Sequence, residues 1–465
     1  MTDLHNLSAY DLWMGYRTGA ISPVEATKAA LKRIELWEPK INAMYVIDAQ
    51  GALAQAKASE QRWRKGQQLG PLDGVPITLK ENIASKGVPT PVGTAATILT
   101  PSAVDAPPAA RVREAGCVFL GKTTMPDFGM LASGVSSLHG TTRNPWNLKR
   151  NTAGSSSGAG AAIAAGYGPL ALGTDIGGSV RLPAAYNGIF ALKPSLGRIP
   201  INPPYLGRVT GPMTRTVMDS ALLMNHLTLP DGRDYMSLPY LEQDYPRLLD
   251  GEVKELKIGL LLDAGLGIPV QPAVQDAVER AAKLFESAGA RIEPVRPFMT
   301  QDMANGLNTF FQSRAYTDFA AMSPERQAKV LPYIAKWCGM AAGYTAVDAM
   351  RALGQVFALR EATVAATLPY DYVLSPTSPI TAYDAEEAAP GNDPQYKSEH
   401  IRFTAPFNMS EQPAASICAG YDGDGLPIGL QIVGRRFDDA GVLRMAHIYE
   451  QMRPALRPWP EPPTS

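Results

Sequence analysis

Residues Asn151–Leu192 read NTAGSSSGAGAAIAAGYGPLALGTDIGGSVRLPAAYNGIFAL, with only two charged side chains, Asp175 and Arg181, among glycines, serines and small apolar residues. Serine hydroxyls set among glycines and flanked by side chains suited to burial suggest backbone held close to a ligand or a reacting carbonyl. The uncharged run Asn151–Thr174 is long enough to raise the question of a membrane span. Its serines, glycines and Pro169, with no Leu/Ile/Val-rich centre, mark it instead as a buried segment of a soluble fold.

The rest of the chain supplies the frame. Its 465 residues suffice for one large α/β domain or two ordinary ones, and 43 basic against 44 acidic residues give a formal charge of -1. Nothing in that balance draws the protein to nucleic acid or to an anionic membrane. Cys117, Cys338 and Cys418 are isolated and in no metal-ligand spacing, so they read as core thiols in a reducing compartment, and neither a disulfide framework nor a structural metal site is expected. The N-terminus lacks the basic start and apolar segment of a secretory signal, which makes the cytoplasm the default location.

Ser8 is placed to cap a first helix, and Ser22-Pro23-Val24-Glu25 forms a capping box opening a second that runs to about Trp37. Gly51–Lys65 and Ala109–Ala115 read as further helices. Strand patterns occur at Val75–Lys80, Cys117–Leu120, Leu170–Leu172, Ile189–Leu192, Lys257–Leu262, Tyr372–Leu374 and Ile428–Val433. Alternating strands and helices predict a single α/β domain: a large, mostly parallel mixed sheet covered by helices on both faces. Its core is expected over about 60–230 and 370–450, with a helical cap-like insertion over about 270–367. The proline-rich end after Arg453 predicts an extended tail.

Three chemistries compete for the serine-rich stretch. A phosphate cradle would need a G-x-x-x-x-G-K-[ST] spacing, or a G-x-G-x-x-G after a strand, and the chain has neither. Gly154-Ser155-Ser156-Ser157-Gly158 satisfies the nucleophile-elbow pattern with Ser156 central, but Asn147–Thr152 before it is polar rather than a hydrophobic strand. A histidine partner would have to come from His226, His400 or His447, each of which reads as a surface or packing residue. The third chemistry uses two serines and a lysine.

PLDGVPITLKEN (Pro71–Asn82), AGSSSGAGAA (Ala153–Ala162) and LGTDIGGSVRLPAAYNGIFALKPS (Leu172–Ser195) together resemble the amidase signature family, and GPMTRTVMD, LSPTSPITAYDA and GLPIGLQIVGRRFDD extend the likeness over nearly the whole length. The resemblance implies a metal-independent, cofactor-free amidohydrolase acting on an uncharged amide, anilide or carbamate through an acyl-enzyme. In it Ser179 is the nucleophile, Ser155 a bridging serine entered by a cis peptide bond, and Lys80 the general base. Backbone N–H groups of Ile176, Gly177, Gly178 and Ser179 form the oxyanion hole, Gly129, Met130 and Leu131 line the acyl pocket, and Asp175 and Arg181 support the turn from behind. It also allows a homodimer. Two rival readings are the glutaminase subunit of a tRNA-dependent amidotransferase and a non-catalytic scaffold that has kept the fold. Ala153 departs from the family, which usually has glycine there.

A physical requirement stands beside the resemblance. A serine hydroxyl attacks only when a neighbour takes its proton, and a lysine does so only when neutral. Neutrality near pH 7 requires burial, since desolvation lowers an amine pKa from about 10.4. Lys80 follows an apolar strand, and the bland alternative is a surface lysine paired with Glu81.

Overall fold

The computed structural model describes residues 3–463. Eleven strands form one sheet: β1 (Met44–Ile47), β2 (Pro76–Lys80), β3 (Val118–Thr123), β4 (Leu170–Asp175), β5 (Phe190–Lys193), β6 (Val209–Thr214), β7 (Lys257–Leu260), β8 (Arg291–Pro294), β9 (Tyr372–Pro376), β10 (Ala414–Tyr421) and β11 (Pro427–Gly434). Their spatial order is β1-β3-β2-β4-β6-β5-β10-β11-β9-β7-β8.

The sheet is large and mixed, as expected, but it is not mostly parallel: four pairings are parallel, within β3-β2-β4 and β9-β7-β8, and six are antiparallel. The reason lies in strands whose pattern is hard to read. The segment β6, VTGPMT, carries a Gly-Pro pair that signals a turn, and β10 opens on small residues; both pair antiparallel with their neighbours.

Side chains alternate across this sheet. On one face Ile77, Leu79, Phe119, Leu170, Leu172, Phe190 and Leu192 bury against helices Ala9–Thr18, Pro107–Glu114, Val217–Leu227, Pro272–Ser287 and Asp439–Met452 in the largest core cluster. On the other face Ala171, Ala191 and Met213 meet the short helices Ser157–Ala165 and Arg181–Asn187. Alanine and glycine there let backbone approach backbone. The composition of the opening stretch is thus a packing requirement: a Cβ added at Gly158 would lie 2.5 Å from the backbone nitrogen of Thr124.

The region expected as a cap from about residue 270 divides. The apolar stripe of Pro272–Ser287, with Val274, Val278 and Phe285 buried, docks on the sheet, and β8 adds an edge strand. Helices Gln301–Ala320, Pro332–Gly339 and Ala346–Thr367 form a separate cluster with Met130, Leu131, Phe311 and Trp337. Both expected N-terminal caps are present, Ser8 with Asp11 and Ser22 with Glu25, each a reciprocal capping box. Among the described residues no helix is long and apolar enough to cross a membrane. The extended tail is pinned to the body: Trp459 lies under the Arg215 guanidinium, 4.5 Å from ring centroid to carbon, and Glu461 pairs with Arg33 at 2.5 Å.

Two glycine-to-alanine changes should separate packing from propensity. Gly158→Ala forces backbone apart and should destabilise the protein by roughly 1–3 kcal/mol or more. Gly354→Ala, exposed within helix Ala346–Thr367 with nothing near its Cβ, should stabilise it by roughly 0.5–1 kcal/mol. Thermal denaturation of the two variants reads both signs.

Candidate active site

The parallel strands β2 and β4 lie side by side, with Leu79 opposite Leu172, so their C-terminal ends open at one place. Lys80 is the last residue of β2, and Thr174 and Asp175 end β4. Two turns reach the same point. Ala153–Ser156 leads into helix Ser157–Ala165, and Ile176–Val180 leads into helix Arg181–Asn187. The backbone N–H of Ser156 donates to the Ser179 carbonyl at 3.2 Å, which ties the turns together.

Lys80 is fully buried, and its Nζ donates to Ser155 Oγ at 2.8 Å and to Thr174 Oγ1 at 3.1 Å. Burial, helped by the nearby Arg208 charge, brings the amine down to a pKa of about 7 against the opposing pull of Asp175 and Glu81. The ion pair with Glu81 does not form. Glu81 turns away to pair with His139 Nε2 at 2.6 Å and leaves Lys80 facing hydroxyls. Thr174 lies within the motif that begins at Leu172, but nothing in that motif marks it as a partner of Lys80; the parallel pairing of β2 with β4, Leu79 opposite Leu172, brings it there.

The peptide bond entering Ser155 is cis, as the resemblance implies. Before it Ala153 holds φ 54°, in the left-handed region where a Cβ is disfavoured, so this chain fits an alanine where glycine would be unstrained. Ser156 is not an exposed nucleophile. Its Oγ is buried against the Thr174 backbone, donating to the carbonyl at 3.3 Å.

Ser179 is 9% exposed, more open than Ser155 at 4%, and no hydrogen bond joins the two hydroxyls in this structure. Of the four amides expected to form the oxyanion hole, one is committed elsewhere: Gly178 N–H donates to Asp175 Oδ1 at 2.7 Å. The cause is its φ of 127°, a conformation suited to glycine, which turns that amide inward. The amides of Ile176, Gly177 and Ser179 have no protein acceptor among the described residues.

Behind the turn, Arg181 and Asp175 form a fully buried two-pronged ion pair, Nε to Oδ2 at 3.1 Å and Nη2 to Oδ1 at 3.0 Å. Asp175 also accepts from Val180 N–H at 3.1 Å and from Asn408 Nδ2 at 2.8 Å. Burial alone would raise this carboxyl, but the Arg181 charge and these donors hold it well below the usual carboxylate range. Arg181 reaches on to the Thr404 carbonyl and to Gln431, fixing the turn to β11.

Two pockets meet at Ser179. One is walled by Gly129, Met130, Leu131, Leu182, Phe311 and Ile401 and is also lined by Ile176 and Gly177. All three residues expected from the loop at 129–131 line it. Lys397, on the same wall, donates to the Met130 carbonyl at 2.8 Å and lies 4.0 Å from the Trp337 ring centroid, and burial lowers its amine to about 7. The other pocket is lined by more polar side chains, Ser155, Thr174, Asn82, Arg208, Arg314 and Asp318, and shares Ile176 with the first. His400 is a packing residue, buried with neither ring nitrogen hydrogen-bonded, while His447 lies 3.5 Å from Glu450 on the last helix. Neither histidine lines these pockets.

A buried lysine with a pKa lowered toward 7 beside a serine, open backbone donors and a second serine between two pockets together suit acyl transfer. The chain matches the family described as Amidase over residues 25–443. It is 34% identical to an acylamidase of Rhodococcus erythropolis over 98% of this chain and 97% of that protein. It is 33% identical to a glutamyl-tRNA(Gln) amidotransferase subunit of Chloroflexus aggregans over 97% of each. In structure it superposes on a bacterial aryl acylamidase of the amidase signature enzymes with TM-score 0.88 at 28% identity, covering 96% of each chain. The peptide amidase of Stenotrophomonas maltophilia gives TM-score 0.84 at 25% identity, covering 99% of each. The chain belongs to the amidase signature family and is a hydrolase of carbon–nitrogen bonds other than peptide bonds.

Proposed function

We propose that this hydrolase cleaves an uncharged amide, anilide or carbamate linkage with Ser179 as nucleophile, Ser155 as proton relay and Lys80 as base. The observation that carries the reading is the 2.8 Å hydrogen bond between a fully buried Lys80 amine and Ser155 Oγ, beside the more accessible Ser179.

The chemistry follows from the placement. Ser179 Oγ bonds to the carbonyl carbon while its proton passes to Ser155 and the Ser155 proton passes to neutral Lys80. The tetrahedral oxyanion accepts from the amides of Ile176, Gly177 and Ser179, each such donor contributing about 3 kcal/mol to the transition state. As the C–N bond breaks, the proton returns through Ser155 to the nitrogen, because an amine leaves badly as an anion. Water then attacks the acyl-enzyme by the same relay and frees Ser179. The pocket with Met130, Leu131 and Phe311 receives the acyl half, since it is apolar, reaches Ser179 and Gly177, and is not lined by Ser155. The pocket lined by Ser155 receives the amine half, since that serine must protonate it.

Three buried free thiols support a reducing, cytoplasmic setting. Exposed Val347, Met350 and Phe357 along helix Ala346–Thr367 support a homodimer, which light scattering from the pure protein tests; a monomer at assay concentration removes it. The reading as part of an amidotransferase is favoured by the full-length similarity to such subunits. Turnover of anilides by the purified chain alone supports the free amidase, and strict dependence on partner proteins with glutamine as substrate supports the amidotransferase.

Ser179→Ala should lower kcat/KM by roughly a thousandfold or more, and a fluorophosphonate should label wild type at Ser179. Labelling elsewhere, or activity surviving the change, refutes the assignment. Because the base works only when neutral, kcat/KM should rise with pH through about 7 and level above it. Lys80→Ala should remove that rise together with most of the activity. A wild-type profile flat from pH 6 to 9 contradicts the role of Lys80.

A further inference from the structure

The amine-side pocket contains two arginines that take no part in the proton relay, although the charge of one, Arg208, helps to lower the Lys80 pKa. Arg208, in the loop before β6, spends one hydrogen bond on the Pro203 carbonyl at 3.3 Å. Arg314 comes from the cap helix Gln301–Ala320, and its guanidinium lies 4.4 Å from the Tyr205 ring centroid. Tyr205 in turn stacks on Phe310 of the same helix with centroids 6.2 Å apart, so the loop is packed against the cap helix beside Arg314. Burial depresses both guanidinium pKa values, and the Arg314 charge lowers that of Arg208 further. Neither forms an ion pair among the described residues. Asp318, on the next turn of the helix, lines the same pocket but bonds to neither guanidinium.

Two guanidinium groups brought together from separate elements, half-buried and with no carboxylate bonded to them, are costly to leave unmatched. Planar guanidinium forks are matched by a carboxylate, which accepts two parallel N–H donors. The position says which half of the substrate must supply it. The pair lines the pocket that contains Ser155 and is absent from the apolar pocket of Met130, Leu131 and Phe311, which Ser155 does not line.

We propose that Arg208 and Arg314 form a carboxylate subsite for the leaving group, so that the preferred substrates are N-acyl amino acids or related amides whose amine half carries an acid. This inference rests on the amidase reading above and narrows it: the amide linkage and the acyl half are uncharged, and the charge sits on the departing amine.

The test compares N-benzoyl ω-amino acids of increasing chain length with N-benzoyl alkylamines of matching length, with kcat/KM as the readout. At the chain length that reaches the pair, the acid should be preferred by roughly tenfold or more, the scale of a charged hydrogen bond. Arg314→Gln should bring that ratio close to one, while Arg314→Lys should keep part of it. Product inhibition of wild type provides a check that needs no variant: the free ω-amino acid should inhibit at lower concentration than the alkylamine. Equal or better turnover of the neutral series, or a preference that survives both Arg314→Gln and Arg208→Gln, overturns the subsite and leaves the amidase reading standing. Failure to turn over either series overturns both.

Discussion

The hydrogen bond from Lys80 to Ser155 depends on an amine kept out of water, and much of the surrounding structure serves that burial. Lys80 ends a central strand whose other side chains are buried, and its Nζ meets only hydroxyl oxygens. Glu81, the nearest carboxylate in sequence, is diverted to His139. Arg208 adds repulsion that favours the neutral amine. Were Lys80 exposed or ion-paired, it would remain a cation at pH 7 and could accept nothing.

The same burial explains the composition of Asn151–Leu192. Two turns must bring backbone within a few ångströms of a sheet end, and only small residues allow the helices behind them to pack that closely. Asp175 and Arg181, the two charges in the stretch, are spent on each other and on the turn. Gly178 shows a finer division of labour. Its amide serves the carboxylate clamp, so fewer amides face the pocket than a run of four successive N–H groups suggests.

What the sequence reveals about this protein depends on how local the information is. Strands β2, β4 and β11 announce themselves by apolar patterning, and Lys80, Ser155 and Ser179 sit in motifs that name their neighbours. The antiparallel centre of the sheet is illegible in sequence because β6 looks like a turn and β10 like a run of small residues. The extent of the cap is overestimated because Pro272–Ser287 is as helical as the true cap, and only its buried stripe shows that it belongs to the sheet. Thr174 lies in a recognisable motif that does not mark it as a partner of Lys80, and Arg208, Arg314 and Lys397 lie in none. They join the site from β4, a loop, a cap helix and a distant turn, and strand register and long-range packing alone bring them there.

The central claim is therefore electrostatic: the fold itself keeps Lys80 neutral near physiological pH. The most direct measurement is the pKa of that amine in the folded protein, from the pH titration of 13Cε-lysine NMR signals, with Lys80 assigned by its loss in Lys80→Met. A midpoint near 7, far below that of an ordinary lysine, is the expected result. A midpoint near 10.5 would leave Ser155 facing a cation and contradict the claim.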